Sequence, residues 1–272
     1  AGYFPIEDTV KLRKLWSGFE GHPNRFKLPG LEMSSGSLGQ GLGVAIGCAL
    51  NAKLEKKDYR VYTILGDGEL DEGSVWEAAM CAAHYKLDNL VAIIDRNRLQ
   101  IDGPTKEIMC LEDLSAKWQA FGWHTLEIDG HDMPQILSSL QEAQKTEDKP
   151  TVIIAHTVKG KGVSFTENQV GYHGIPPKDG RTGKESLDQA LEDIGDPQFT
   201  KEKVNRLFKI ASDYQSKVDK KVKESLPKFS GNYWWNSSSS MQVKMEPTRN
   251  GFGKAIEELG KDEKVVVLGA DI

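Results

Sequence analysis

The chain has 272 residues, 38% hydrophobic and 28% charged, enough for one buried core and, at roughly 150 residues per domain, room for a second. That composition excludes disorder over most of the length, and no apolar run approaches the roughly 18 residues that cross a bilayer, so no membrane partner is expected. A net charge of −5 supplies no global field for nucleic acid, so any anionic ligand is held by local geometry.

From Ser34 to Leu54 small residues dominate, and Gly36, Gly39 and Gly41 lead into a helical run of Val44, Ala45, Ile46, Ala49 and Leu50. Arg60 to Leu65 reads as a strand ending in Gly66-Asp67-Gly68, and Glu69 to Lys86 then carries Val75, Ala78, Ala79, Ala82 and Ala83 on one helical face. Leu90 to Ile94 is a continuous apolar run of the kind buried on both faces of a parallel sheet. A helix from Leu111 to Phe121, a strand from Trp123 to Ile128, a helix from Met133 to about Lys145 and a strand from Thr151 to Ala155 follow. Strands alternating with helices predict an α/β fold: a doubly wound, mostly parallel sheet with helices on both faces. Such sheets bind ligands at the carboxyl ends of their strands, where Gly66-Asp67-Gly68, Asp95-Arg96-Asn97, Asp129-Gly130-His131 and His156 all fall.

Beyond Thr157 a Lys-Gly-Lys-Gly run opens a long polar loop through Gly183. Lys201 to Lys228 reads as an exposed helix with one apolar stripe, and four consecutive serines mark a linker. A helix near Asn250 to Leu259 and a strand at Lys264 to Leu268 then begin something new. The expected organisation is a binding domain over 1–195, a helical, Lys-rich and Ser-rich linker over 196–244, and the start of a second α/β domain over 245–272. The chain opens without methionine and stops just past a strand, which reads as a segment of something longer. Three cysteines, Cys48, Cys81 and Cys110, are odd in number and far apart, which disfavours a disulfide framework and fits a reducing cytoplasm.

Gly66-Asp67-Gly68 and Asn97 close adjacent strands about 5 Å apart, so an Asp carboxylate and an Asn amide oxygen can reach one point. Hard oxygen ligands of this type suit Mg²⁺ or Ca²⁺, with open positions for phosphate oxygens. The plainer reading makes the glycines a turn and Asn97 a cap. The stretch Gly66-Asp67-Gly68-Glu69 through Asp95-Arg96-Asn97-Arg98-Leu99-Gln100-Ile101-Asp102-Gly103 resembles the thiamine-diphosphate motif of transketolases. Gly21-His22-Pro23, Leu28-Pro29-Gly30-Leu31-Glu32, Ser35 to Gly41, Lys159-Gly160-Lys161-Gly162 and Tyr172-His173-Gly174 resemble neighbouring segments of the same family, and Met245 to Ile272 resembles the opening of its pyrimidine-binding domain.

The resemblance implies a thiamine diphosphate site whose divalent ion is held by Asp67, Asn97 and the Leu99 carbonyl. It implies a Gly68 amide on the diphosphate, Gly36 and Leu38 facing the cofactor, Ile101 packed on its rings and Lys159 adding positive charge. By the same likeness His173 contacts the diphosphate and the reacting centre, and His22 recognises the donor sugar's C1 hydroxyl. Glu72 and Glu77 link the two sites of a dimer, Arg249 grips the acceptor's phosphate, and Asp271 lies near the cofactor. The implied reaction moves a two-carbon ketol unit between sugar phosphates, in a homodimer or with a separate pyrimidine-domain chain. By this likeness the family's glutamate for the aminopyrimidine ring falls beyond Ile272, and further family histidines fall before Ala1. Alternatives are another thiamine enzyme, such as a dihydroxyacetone synthase or deoxyxylulose-phosphate synthase, and a cofactor-binding protein without chemistry. A nucleotide-dependent oxidoreductase is disfavoured, because no acidic ribose-binding residue follows the glycine loop at the expected distance. Asp67→Ala is expected to abolish metal-dependent cofactor binding and leave the fold largely intact.

Overall fold

A computed structural model describes residues 2–177, 185–195 and 200–225, together with positions 254, 257 and 261. Arg249, Asp271 and the helix and strand expected after Asn250 lie outside the described residues. The chain divides into two units, Ala1–Val218 and Asp219–Ile272, and everything below concerns the first.

The first unit is built from α1 (Gln40–Leu54), β1 (Val61–Gly66), α2 (Gly73–His84), β2 (Leu90–Arg96) and a two-residue pair, β3 (Leu99–Gln100) with β4 (Gly103–Pro104). Then come a single turn α3 (Thr105–Ile108), α4 (Leu114–Ala120), β5 (His124–Asp129), α5 (Met133–Lys145), β6 (Thr151–His156), α6 (Glu185–Ile194) and, as far as Val218, α7 (Lys201–Ser225). The main sheet is parallel throughout, in the order β1-β2-β6-β5, with Gly66 beside Asp95 and Arg96 beside His156. This is the doubly wound arrangement expected from the strand and helix alternation.

Burial explains the pattern of residues. The central strands β2 and β6 are apolar on both faces because both faces are covered: Leu90, Val91, Ala92 and Ile94 are fully buried. On one face α1, α2 and α4 pack through Leu42, Ala49, Val75, Ala79, Ala82 and Trp118; on the other, α5 packs Ala143 over Val91 and Ile153. The alanines let α1 and α2 approach the sheet closely, and each fully buried Leu or Ile contributes about 1.5–3 kcal/mol. Trp123, the residue before β5, is tied to α2 by an Nε1–H bond to the Ala79 carbonyl, 3.0 Å. At the sheet edge the α5 cover runs out: Ile64 of β1 is 72% exposed.

The structure departs from expectation at three places. The single helix expected over 69–86 is a short 3-10 turn, Gly68–Asp71, followed by α2. Glu69 turns its carboxylate back onto the Gly39 and Gly66 amides, and Glu72, expected within the helix, is instead its extended N-cap with ψ 124°. The β3–β4 pair and α6 were not anticipated. Among the described residues no helix is long and apolar enough to cross a membrane.

Candidate metal and diphosphate site

The strand ends gather the expected residues. β1 ends at Gly66 and β2 at Arg96, so Asp67 and Asn97 leave neighbouring strands side by side. Asp67 is 1% exposed. Its Oδ1 accepts the Gly68 amide at 2.9 Å, and its Oδ2 accepts the Arg98 amide at 2.5 Å and the Arg96 guanidinium at 3.1 Å. The loop after β2 therefore wraps onto the aspartate that ends β1.

That wrapping needs a special backbone. Arg98, between Asn97 and Leu99, has φ 65°, the left-handed region that L-residues seldom adopt. Its carbonyl takes the Thr105 amide at 3.0 Å, while the Asn97 side-chain oxygen takes the Leu99 amide at 3.0 Å. Leu99 faces Pro104 in the β3–β4 pair, and because the next pair, Arg98 with Thr105, is hydrogen-bonded, Leu99–Pro104 is a non-hydrogen-bonded pair. The ladder therefore makes no claim on the Leu99 carbonyl, one of the three oxygens that the family resemblance assigns to a metal.

The Asp67 carboxylate, the Asn97 amide oxygen and the Leu99 carbonyl are hard oxygens, a donor chemistry that would suit Mg²⁺ or Ca²⁺ and not a thiophilic metal. Burial pushes the Asp67 carboxyl above its ordinary value, while the Arg98 amide, the Arg96 guanidinium and the Gly68 amide pull it down. A dication at Oδ1 would pull in the same direction as those three. Asp67 is buried and hydrogen-bonded to three groups, so it also takes part in holding the loop.

The glycine loop forms the neighbouring wall. A Cβ on Gly36, at φ +129°, would lie 2.5 Å from the His22 ring nitrogen, so the loop rests against the imidazole. Gly39, at φ +76°, enters α1 with its amide on the Glu69 carboxylate at 2.9 Å, and Glu69's other oxygen takes the Gly66 amide at 3.1 Å. Glu69 thereby joins the glycine loop to the end of β1. Ser35, Gly36, Leu38, Thr63 and Glu69 line a cleft of about 220 Å³. The structure thus unites His22 with Gly36, and Asp67 with Gly68 and the 97–99 loop.

Other expected residues occupy separate places. Ile101 is 42% exposed on the β3–β4 turn, an apolar side chain beside the metal loop. Lys159 and the exposed His173 stand at opposite ends of the loop after β6, which is folded on itself by Thr166 Oγ1 bonds to the Gly160 and Val163 carbonyls, each 3.0 Å. Glu72 packs its Cβ toward Gly39, and Glu77 is exposed on α2. Sequence reasoning missed Glu69 and Arg96. Both lie inside the motif, yet only the tertiary partners reveal their parts. His156, unassigned in the sequence, sits between Arg98 (Nδ1, 3.1 Å) and Glu127 (Nε2, 2.9 Å).

The family model described as "Transketolase, thiamine diphosphate binding domain" matches residues 1–251. One of the subunits of apulose-4-phosphate transketolase from Phocaeicola vulgatus is 44% identical over 205 residues, covering 75% of this chain and 70% of that protein. Transketolase of Pongo abelii is 36% identical over 275 residues, covering 100% of this chain but 41% of that one. The crystal structure of transketolase from Campylobacter jejuni superposes with a TM-score of 0.65 at 32% identity, over 80% of this chain and 36% of that one.

Proposed function

Because the chain belongs to the transketolase family, we propose that it carries the diphosphate and metal half of a site that moves a two-carbon ketol unit from a ketose phosphate to an aldose phosphate. The observation that carries this reading is the buried Asp67 carboxylate with the 97–99 loop folded onto it, a cradle of hard oxygens at the carboxyl ends of parallel strands.

In this reading Asp67, Asn97 and the Leu99 carbonyl hold Mg²⁺ or Ca²⁺, and the Gly68 amide and Lys159 meet the diphosphate of thiamine diphosphate. Gly36, Leu38 and Ile101 pack against the cofactor, with Asp271 near it. When bound, thiamine diphosphate supplies the carbon nucleophile that opens the ketose. His22, braced by Gly36, orients the donor through its C1 hydroxyl, and His173 serves the diphosphate and the reacting centre. Arg249 takes the acceptor's phosphate, for which a planar guanidinium fork is suited. Glu72, the half-buried N-cap of α2, and Glu77, exposed on that helix, couple this site to a second one.

The partner is a chain bearing a pyrimidine-binding domain, either a second copy or a separate polypeptide. The likeness to a relative that is itself named as one subunit of a transketolase supports the separate-polypeptide form. Three free cysteines fit a cytoplasmic setting. The test is calorimetric titration of thiamine diphosphate with Mg²⁺ into the wild type and Asp67→Asn, followed by transfer between xylulose and ribose phosphates once the partner chain is added. Metal-dependent binding lost in Asp67→Asn, with transfer in the assembled wild type, is expected. Binding indifferent to metal and to position 67 would overturn the reading.

A further inference from the structure

Asp67 and Arg96 form an ion pair whose side chains are 1% and 16% exposed. A carboxylate so far from water is costly unless paired and hydrogen-bonded, and stripping one partner from a buried pair leaves the other charge stranded. The guanidinium that reaches Asp67 is held in turn: the same Nη1 also donates to Thr105 Oγ1 at 3.0 Å, and Thr105 is 1% exposed. The Arg96 carbonyl takes the Thr157 amide at 3.3 Å, fixing the backbone from which the side chain springs. Arg96 is therefore built into the fold beside Asp67.

The division of labour at the carboxylate is uneven. Oδ2 takes the guanidinium and the Arg98 amide, whereas Oδ1 takes only the Gly68 amide. A cation approaching Asp67 finds Oδ2 occupied and Oδ1 with a lone pair to offer.

We propose that Arg96 is a positioning residue that acts as the resident counter-cation of Asp67, letting the metal loop fold before its dication arrives and confining that dication to the Oδ1 oxygen. Without Arg96 the loop would rely on the bound metal to neutralise the buried carboxylate. The metal-dependent half of this inference rests on the metal reading proposed above; the charge-pairing half does not.

The experiment compares thermal unfolding of the full chain as wild type, Arg96→Met, Asp67→Asn and the double variant, each with and without saturating Mg²⁺ and thiamine diphosphate. Arg96→Met should lower the melting temperature without ligand by on the order of 10 °C, the loss expected for breaking a buried pair in a unit of this size. Adding Asp67→Asn to it should recover part of that loss, because the stranded charge is gone while the Asn NH2 faces one of the two backbone amides. Ligand should raise the melting temperature of Arg96→Met by more than it raises the wild type. A ligand-free Arg96→Met within about 1 °C of wild type, or a double variant no more stable than Arg96→Met, would overturn the pairing. If Arg96→Met does not fold without ligand, the double variant decides: folded supports the proposal, unfolded refutes it. An equal ligand shift in wild type and Arg96→Met refutes the metal-dependent half. Calorimetry on Asp67→Asn separates the two readings, since unchanged Mg²⁺ binding there removes the metal site while leaving the pairing result standing.

Discussion

Glu69→Ala is the perturbation that most directly probes how the site is assembled. The Glu69 carboxylate accepts two backbone amides, from Gly39 at 2.9 Å and from Gly66 at 3.1 Å, and so clamps the entry of α1 to the end of β1. Hydrogen bonds to a charged acceptor contribute about 1.5–3 kcal/mol each, and both are only partly buried, so about 2–4 kcal/mol is expected for the pair. Gly39 itself is buried, and its amide would be left without an acceptor, which places the value in the upper half of that range. Glu69→Gln keeps one amide acceptor and loses the charge, so it should cost roughly half as much. Urea unfolding followed by far-UV circular dichroism reads both numbers. A Glu69→Ala free energy within about 0.5 kcal/mol of wild type, as for an ordinary surface change, would refute the clamp.

Gly39→Ala should cost at least about 1–3 kcal/mol, because φ is +76° and the new Cβ would lie 2.4 Å from Ser74 Oγ; urea unfolding measures it. Trp118→Ala removes a fully buried ring packed against Trp76 and Trp123, with centroids 5.3 Å and 4.8 Å away, and should cost about 3–5 kcal/mol in the same assay. Partial burial pushes the Asp88 carboxyl up, but the Lys53 ammonium, the Asp148 amide and Arg60 outweigh it and the net direction is down. A carboxyl lowered in the folded state stabilises above its ordinary range and loses that contribution as pH falls through the folded value, so Asp88→Asn should flatten the acid limb of stability against pH.

The strands were legible because β2 and β6 are apolar on consecutive residues, a pattern that only burial on both faces explains. The candidate metal residues were legible as positions, since a Gly-Asp-Gly turn and an Asn at successive strand ends come side by side when the two strands pair, as β1 and β2 do. What holds them was not. Glu69 reads as an acidic helix residue until its bond to Gly39, thirty positions earlier, is seen. Arg96 reads as a solvated charge until its partner across the strand gap is known. The β3–β4 pair escaped because two residues carry no periodicity, and α6 because its ten residues follow a polar, glycine-rich stretch. The hydrogen bonds of Asp67 were equally illegible: its partners are the Gly68 amide next to it, Arg96 at the end of β2 and the Arg98 amide in the loop that follows.

The central claim is that two strand-end side chains and one backbone carbonyl share a dication. A crystal structure grown with thiamine diphosphate and Ca²⁺ measures it, using the anomalous signal to place the ion. The account predicts one peak roughly 2.3–2.6 Å from Asp67 Oδ1, Asn97 Oδ1 and the Leu99 carbonyl, with diphosphate oxygens completing the shell. A peak bound by other residues, or a diphosphate seated without any ion against Asp67, would contradict it.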